Sequence, residues 1–268
     1  MENLLFSAAI GDICGMYYEF KHRTKNYDEI KLVRYYTDQT YTDDTVCTFA
    51  CAEALINGLD VAENLRKRCR EDIDRGYGGR FRKWLMDDEI KPAYGSYGNG
   101  SAMRVSAAGF LAQSENECIE LATRTAMPTH NHPEGIKGAV ATALTIFYSM
   151  EGWHKEYIKE KVLGKYYPEW LTRTYADIKP DYDFSETCQL TVPVAIICFL
   201  ESKDYADCLK LAISLGGDAD TLAAIAGPMA YSYYKEMPED LIQHAKTKLS
   251  DWMLDLNDQF DTFVEGRK

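Results

Sequence analysis

The chain has 268 residues, 46% of them hydrophobic, and a formal net charge of −12. That is enough apolar material for one large or two small globular units. The acidic balance argues against a broad nucleic-acid-binding surface, which would be basic, but not against a small anionic ligand, because metals and helix N-termini supply local positive potential. No Pro/Gly/Ser-rich linker or low-complexity tract marks a boundary, so one domain over 1–268 is expected. Glu2 and Asp12 bracket Leu4 to Ile10, unlike a signal peptide, and no apolar run approaches a membrane span. The eight cysteines form no C-x-x-C pair, which suits buried thiols in a reducing cytoplasm rather than zinc sites or disulfides.

Helical spacing recurs along the chain with almost no strand alternation, so the predicted fold class is all-α. Leu4, Leu5, Ala8, Ile10 and Ile13 give a first helix, in which Gly11 and Gly15 lie a turn apart and permit close approach of another backbone. A second helix starts at Thr42 and stops at Asn57-Gly58. Further helical patterns run over 101–111, 115–125, 133–150 and 157–163, then 185–200 and 205–215. The stretch 220–234 reads as a buried helix, and 238–263 as one last amphipathic stretch. Two glycine-rich turns, Gly76-Tyr77-Gly78-Gly79 and Gly95-Ser96-Tyr97-Gly98-Asn99-Gly100, lead into helical patterns. Such turns expose backbone N–H groups where a helix dipole favours an anion.

Two acidic cassettes stand before apolar helices: Thr42-Asp43-Asp44-Thr45 and Gly217-Asp218-Ala219-Asp220-Thr221. Helix capping explains each one singly, since Thr42 and Asp218 are good N-caps and early acids complement the macrodipole. Taken together they form an all-oxygen set suited to hard divalent cations, Mg²⁺ or Mn²⁺. On the residues alone both explanations stand. Glu19 has the bland reading of a surface group unless the first helix ends at the acidic cluster. His130 and His132 read as a polar turn before a helix, and two histidines so spaced are not a metal site by themselves. The Gly95–Gly100 turn lacks the Lys-Ser/Thr ending of a P-loop, and no G-x-S-x-G elbow occurs.

Six blocks in order carry a family resemblance: GDICGMYYEF (11–20), YTDDTVCTFA (41–50), RGYGG (75–79), GSYGNGSAMRV (95–105), THNHPEG (129–135) and SLGGDADTLAAIAG (214–227). The chain resembles the ADP-ribosylglycohydrolases, the group of the dinitrogenase-reductase-activating glycohydrolases and ADP-ribosyl-acceptor hydrolases. The resemblance implies a compact all-α fold with two Mg²⁺ or Mn²⁺ ions beneath an ADP-ribose cleft. It implies hydrolysis of the bond between ADP-ribose and a protein side chain or small molecule. By motif it makes Thr42, Asp43, Asp44, Asp218, Asp220 and Thr221 metal ligands and Glu19 the catalytic acid residue. It places Gly76, Gly78, Ser96, Tyr97, Gly98, Asn99 and His130 at the substrate. Ile13-Cys14 and Ala219 depart from the usual pattern without removing a ligand. The expected partner is an ADP-ribosylated protein or conjugate, with no membrane and a slight preference for a monomer. Two rivals remain: a module that binds ADP-ribose without turnover, and a metal-dependent hydrolase of another nucleotide-like substrate. Glu19 beside a full ligand set favours an enzyme.

Overall fold

A computed structural model describes residues 1–19, 26–34, 39–89 and 91–267. Phe20, which closes the first motif, lies outside the described residues. Among these, α-helices account for nearly all regular structure, and the only β pairing is an isolated bridge between Gly98 and Thr187. The all-α expectation therefore holds. In chain order the helices are α1 (Phe6–Gly15), α2 (Asp43–Asn57), α3 (Val61–Glu71), α4 (Gly79–Met86) and α5 (Gly100–Met103). Next come α6 (Ser106–Leu111), α7 (Glu115–Ala126), α8 (Pro133–Met150), α9 (Lys155–Tyr166) and α10 (Tyr175–Ile178). The last are α11 (Cys188–Glu201), α12 (Tyr205–Ser214), α13 (Ala219–Tyr234), α14 (Glu239–Lys246) and α15 (Asp251–Arg267).

The centre of the fold is α13, which packs on α1, α12, α11 and α8. Its Leu222, Ile225 and Met229 are almost wholly buried, each contributing about 1.5–3 kcal/mol of hydrophobic stabilisation. The α1–α13 contact runs backbone to backbone. A Cβ on Gly11 would sit 2.2 Å from the Ala223 carbonyl oxygen, and one on Gly15 would sit 2.4 Å from Asp220 Cα. Gly227 faces the Ser7 carbonyl in the same way. The two α1 glycines thus bring its C-terminal end against the start of α13, where the second acidic cassette lies. All eight cysteines are free and buried. No described helix is long and apolar enough to cross a membrane.

Three expectations need correction. The 238–263 stretch is two helices, because Thr247 Oγ1 donates to the His244 carbonyl at 2.7 Å and closes α14 before α15 begins. The 101–111 pattern breaks at Arg104, whose side chain is drawn inward to the Thr125 carbonyl. Helix α3 has no counterpart in the sequence reading. Its few apolar anchors, Val61, Leu65 and Cys69, lie among charged residues, and Asp60 caps it by accepting from Glu63 N–H at 2.9 Å.

Candidate active site

Helix α2 is capped from outside its own cassette. The Asp12 carboxylate, fully buried on α1, accepts from Thr42 N–H at 2.8 Å, Thr42 Oγ1 at 2.9 Å, Thr45 N–H at 3.1 Å and Thr45 Oγ1 at 2.5 Å. Thr42 is the N-cap, but its own bond to Asp44 N–H is long at 3.4 Å. Asp12 takes the Thr42 and Thr45 N–H groups, and the Arg75 carbonyl takes that of Asp43, so the Asp43 and Asp44 carboxylates are not needed as caps. The second cassette behaves alike. Asp218 stands at the N-cap of α13 without a capping bond and instead accepts from Asn99 Nδ2 at 2.6 Å. Gly216 and Gly217 both take positive φ, 77° and 66°, a turn that side chains disfavour and that delivers Asp218 inward.

Glu19 follows the turn that ends α1, held by the Tyr18 N–H to Gly15 carbonyl bond at 2.7 Å. Carboxylate oxygens of Glu19, Asp218 and Asp220 lie within 4.8 Å of one another. Thr221 Oγ1 donates to Asp44 Oδ2 at 3.2 Å, tying the cassettes together. The other Asp44 oxygen is buried with no hydrogen-bond partner among the described residues. None of Asp12, Glu19, Asp43, Asp44, Asp218 or Asp220 has an ion-pair partner among the described residues.

Burial raises every one of these carboxyls, and repulsion from neighbouring carboxylates adds to it at Glu19, Asp43, Asp44, Asp218 and Asp220. Burial lifts Asp12 to about 6 against its threonine hydrogen bonds. Glu19 rises to about 7, first by burial and then by the charge of Asp218. Asp43 rises to about 8 by burial, then Asp12 and Asp218. Asp44 and Asp220 are pushed well up for the same reasons, and Asp218 is raised by burial against the Asn99 hydrogen bond. A concentration of buried anions with an orphaned oxygen is unfavourable unless a cation completes it. The donors are all carboxylate or hydroxyl oxygen, the set that hard divalent ions take. The residues present therefore fit such an ion.

Above this floor is a cleft of about 430 Å³, within the range of small-molecule sites. Its lining includes Glu19, Thr42, Asp43, Asp44, Asp218, Asp220 and Thr221, and also Gly76, Gly78, Ser96, Gly98, Asn99 and His130. Gly76 has φ 91°, and the Arg75 carbonyl before it accepts from Asp43 N–H at 2.8 Å, so the first glycine turn closes onto α2. The second turn is pinned by Ser96 N–H to the Thr129 carbonyl at 3.2 Å and Asn99 N–H to the Glu186 carbonyl at 2.7 Å. A Cβ on Gly100 would lie 3.2 Å from the His130 ring. Tyr97 is not brought into the cleft wall. Its ring is 46% exposed and lies 5.1 Å from that of His132.

His130 is held well below its ordinary value by burial, then by Arg104 and Arg80, and so is neutral. Its Nδ1 meets Thr129 Oγ1 at 2.8 Å, and that hydroxyl accepts from Arg104 Nη2 at 2.9 Å. The other ring nitrogen, Nε2, is the atom facing the glycine turn. His132 caps α8, accepting from Glu134 N–H at 3.1 Å, as a plain polar turn requires.

Sequence reasoning missed Asp12, Arg104 and Glu186. Asp12 carried a signal, being a charge on an apolar helix beside a close-approach glycine. Arg104 and Glu186 carried none, because only the fold brings them to the cleft.

A family model described as ADP-ribosylglycohydrolase matches residues 2–267. Similar curated proteins include ADP-ribosylhydrolase ARH3 of Bos taurus, 28% identical over 263 residues, covering 74% of this chain and 72% of that protein. ADP-ribosylhydrolase ARH3 of Mus musculus is 29% identical over 263 residues, covering 74% and 71%. A solved structure entitled "ADP-ribosylglycohydrolase-related protein complex" shares the fold, with a TM-score of 0.73 at 19% identity over 99% of this chain and 97% of that one.

Proposed function

The chain belongs to the ADP-ribosylglycohydrolase family, and from that premise we propose that it hydrolyses the bond between ADP-ribose and an acceptor, reversing ADP-ribosylation. The observation that carries this is the pairing of an uncompensated carboxylate floor, including the orphaned Asp44 oxygen, with a glycine-rich wall in one cleft. Thr42, Asp43, Asp44, Asp218, Asp220 and Thr221 would hold two divalent cations, Mg²⁺ or Mn²⁺. When bound, these supply Lewis-acid chemistry and orientation at the ribose next to the scissile bond.

The protein's own groups do the rest. Backbone N–H groups of the Gly76–Gly78 turn meet the diphosphate, while the Ser96–Asn99 turn, whose Ser96, Gly98 and Asn99 N–H groups are engaged within the protein, shapes the wall beside the neutral His130. Asn99 Nδ2 fixes the Asp218 carboxylate through their 2.6 Å bond. Glu19, half-buried and raised toward neutrality by burial and Asp218, takes a proton from the attacking water or orients it. A carboxyl at this point of the cluster favours turnover over simple ADP-ribose binding. The whole chain, 1–268, acts as one catalytic domain, supported by a single hydrophobic core that runs from Leu4 to Val264.

The test is direct. Purified protein given Mg²⁺ or Mn²⁺ should release ADP-ribose from conjugates linked through arginine, serine or an acyl group. Excess chelator should abolish release. Full activity in chelator contradicts the metal role, and no release from any linkage contradicts hydrolysis.

A further inference from the structure

The glycine wall is tied to the carboxylate floor by the bond from Asn99 Nδ2 to Asp218 Oδ2, at 2.6 Å. An amide makes such a bond in only one of its two orientations, because turning it over sets Asn99 Oδ1 against the carboxylate. Thr191, wholly buried on α11, bears on that choice. Its Oγ1 donates to the Ser185 carbonyl at 3.1 Å and accepts from Asn99 Nδ2 at 3.3 Å. A hydroxyl has a single proton, and the Ser185 carbonyl takes it. Toward Asn99 the Thr191 oxygen can therefore only accept, so it matches the NH₂ side of the amide and rejects the C=O side. Both Nδ2 protons are then committed, one to Asp218 and one to Thr191.

The backbone sets this register. Asn99 N–H donates to the Glu186 carbonyl at 2.7 Å, Cys188 N–H donates to the Tyr97 carbonyl at 3.0 Å, and Gly98 forms its antiparallel bridge with Thr187. These contacts zip the glycine turn onto the start of α11, where Thr191 N–H donates to the Thr187 carbonyl at 2.9 Å. Ser185 is braced in turn, since its hydroxyl lies 3.1 Å from Thr187 Oγ1 and accepts from Thr187 N–H at 3.3 Å. Thr191 thus stands behind the cleft wall rather than in it.

Resting on the cation assignment above, we propose that Thr191 is a positioning residue: its hydroxyl locks the Asn99 amide with Nδ2 toward Asp218, and through that bond holds the Asp218 carboxylate ready for a divalent cation. Without the Thr191 hydroxyl the amide is free to turn, and Asp218 loses its fixed donor. Partners behind a ligand carboxylate set metal affinity by about 10–100-fold. Thr191 acts through one intermediate, so the lower end of that range is expected.

Nuclear magnetic resonance of the full metal-free chain, ¹⁵N-labelled at asparagine, reads the lock without any cation. The Asn99 side-chain amide, assigned by its absence from Asn99→Ala, should give two separate proton signals that exchange slowly with water. Thr191→Val keeps the shape and removes the hydroxyl, so it should speed that exchange by about tenfold. In calorimetry the same variant should bind Mn²⁺ about tenfold more weakly, with helicity unchanged. Thr191→Ser keeps the hydroxyl and loses the methyl, and should restore both values. Fast exchange of the Asn99 amide in the unaltered chain overturns the lock. So does a Thr191→Val in which either value is unchanged, or a Thr191→Ser that behaves like Thr191→Val. Should Thr191→Val not fold, the amide exchange of the unaltered chain and of Thr191→Ser still decides it. A protected amide in an unaltered chain that takes up no Mn²⁺ overturns the cation assignment and leaves the lock standing.

Discussion

On one wall of the cleft Arg75, Arg80 and Arg104 are each held by the protein itself, whereas the carboxylates of the floor have no cation to meet them among the described residues. Arg75 pairs with Asp72 at 2.7 Å and lies 3.9 Å over the Tyr41 ring. Arg80 donates to the Tyr94 carbonyl at 2.6 Å, and buried Arg104 to the Thr125 carbonyl and Thr129 hydroxyl. The floor has Asp12, Glu19, Asp43, Asp44, Asp218 and Asp220, all raised, and the unpartnered Asp44 oxygen. The wall is complete as folded and can meet an anion with little reorganisation. On the proposed reading the floor is completed by divalent cations. On the same reading, that contrast separates the phosphate side of the cleft from its cation side.

Glu19→Gln is the sharpest way to break the contrast, because it removes the one floor carboxyl assigned to proton transfer. ADP-ribose release should fall by about 10²–10⁴-fold in kcat, while calorimetry finds divalent-cation binding retained in large part. A variant that loses cation binding and activity in parallel would make Glu19 chiefly a ligand instead. Asp12→Asn acts one step further out. It keeps an acceptor for Thr42 and Thr45 but loses the charge beneath the cassette, so cation affinity should weaken by about 10–100-fold. Unchanged affinity would reduce Asp12 to a helix cap.

A smaller effect concerns pH. Asp12, Glu19 and Asp43 stand at about 6, 7 and 8 in the metal-free fold, above ordinary values of 3.8 for Asp and 4.5 for Glu. The folded state therefore binds more protons than the unfolded state between roughly pH 4 and 8. The contribution of these groups is full below their ordinary values and is lost as pH rises through the folded ones. Metal-free protein should thus lose stability to urea from pH 5 to 8, by on the order of the linkage slope. Added Mn²⁺ should flatten or reverse the trend. Identical profiles with and without Mn²⁺ would remove the link between these carboxyls and a cation.

What was legible in the sequence was local. Thr42-Asp43-Asp44 and Asp218-Ala219-Asp220 stood out because each precedes an apolar helix, and Pro133 to Met150 was delimited by its own capping turn and periodicity. Gly11 and Gly15 announced a close backbone approach, and α13 occupies that space. The rest depended on tertiary placement. Asp12 reaches across from α1 to cap α2, a partnership between residues 30 and 33 positions apart. Arg104 interrupts an otherwise helical pattern because its guanidinium is drawn to Thr125 and Thr129. Periodicity carried no trace of either. Tyr97 shows the converse: its motif is present, but its ring lies beside His132 outside the cleft wall.

Calorimetric titration of Mn²⁺ into the metal-free chain, set beside Asp218→Asn, tests the floor most directly. The expected result is saturable binding with a stoichiometry of two in the unaltered protein, weakened or reduced in the variant, with both chains equally helical. No saturable binding, or identical isotherms for the two, would contradict it.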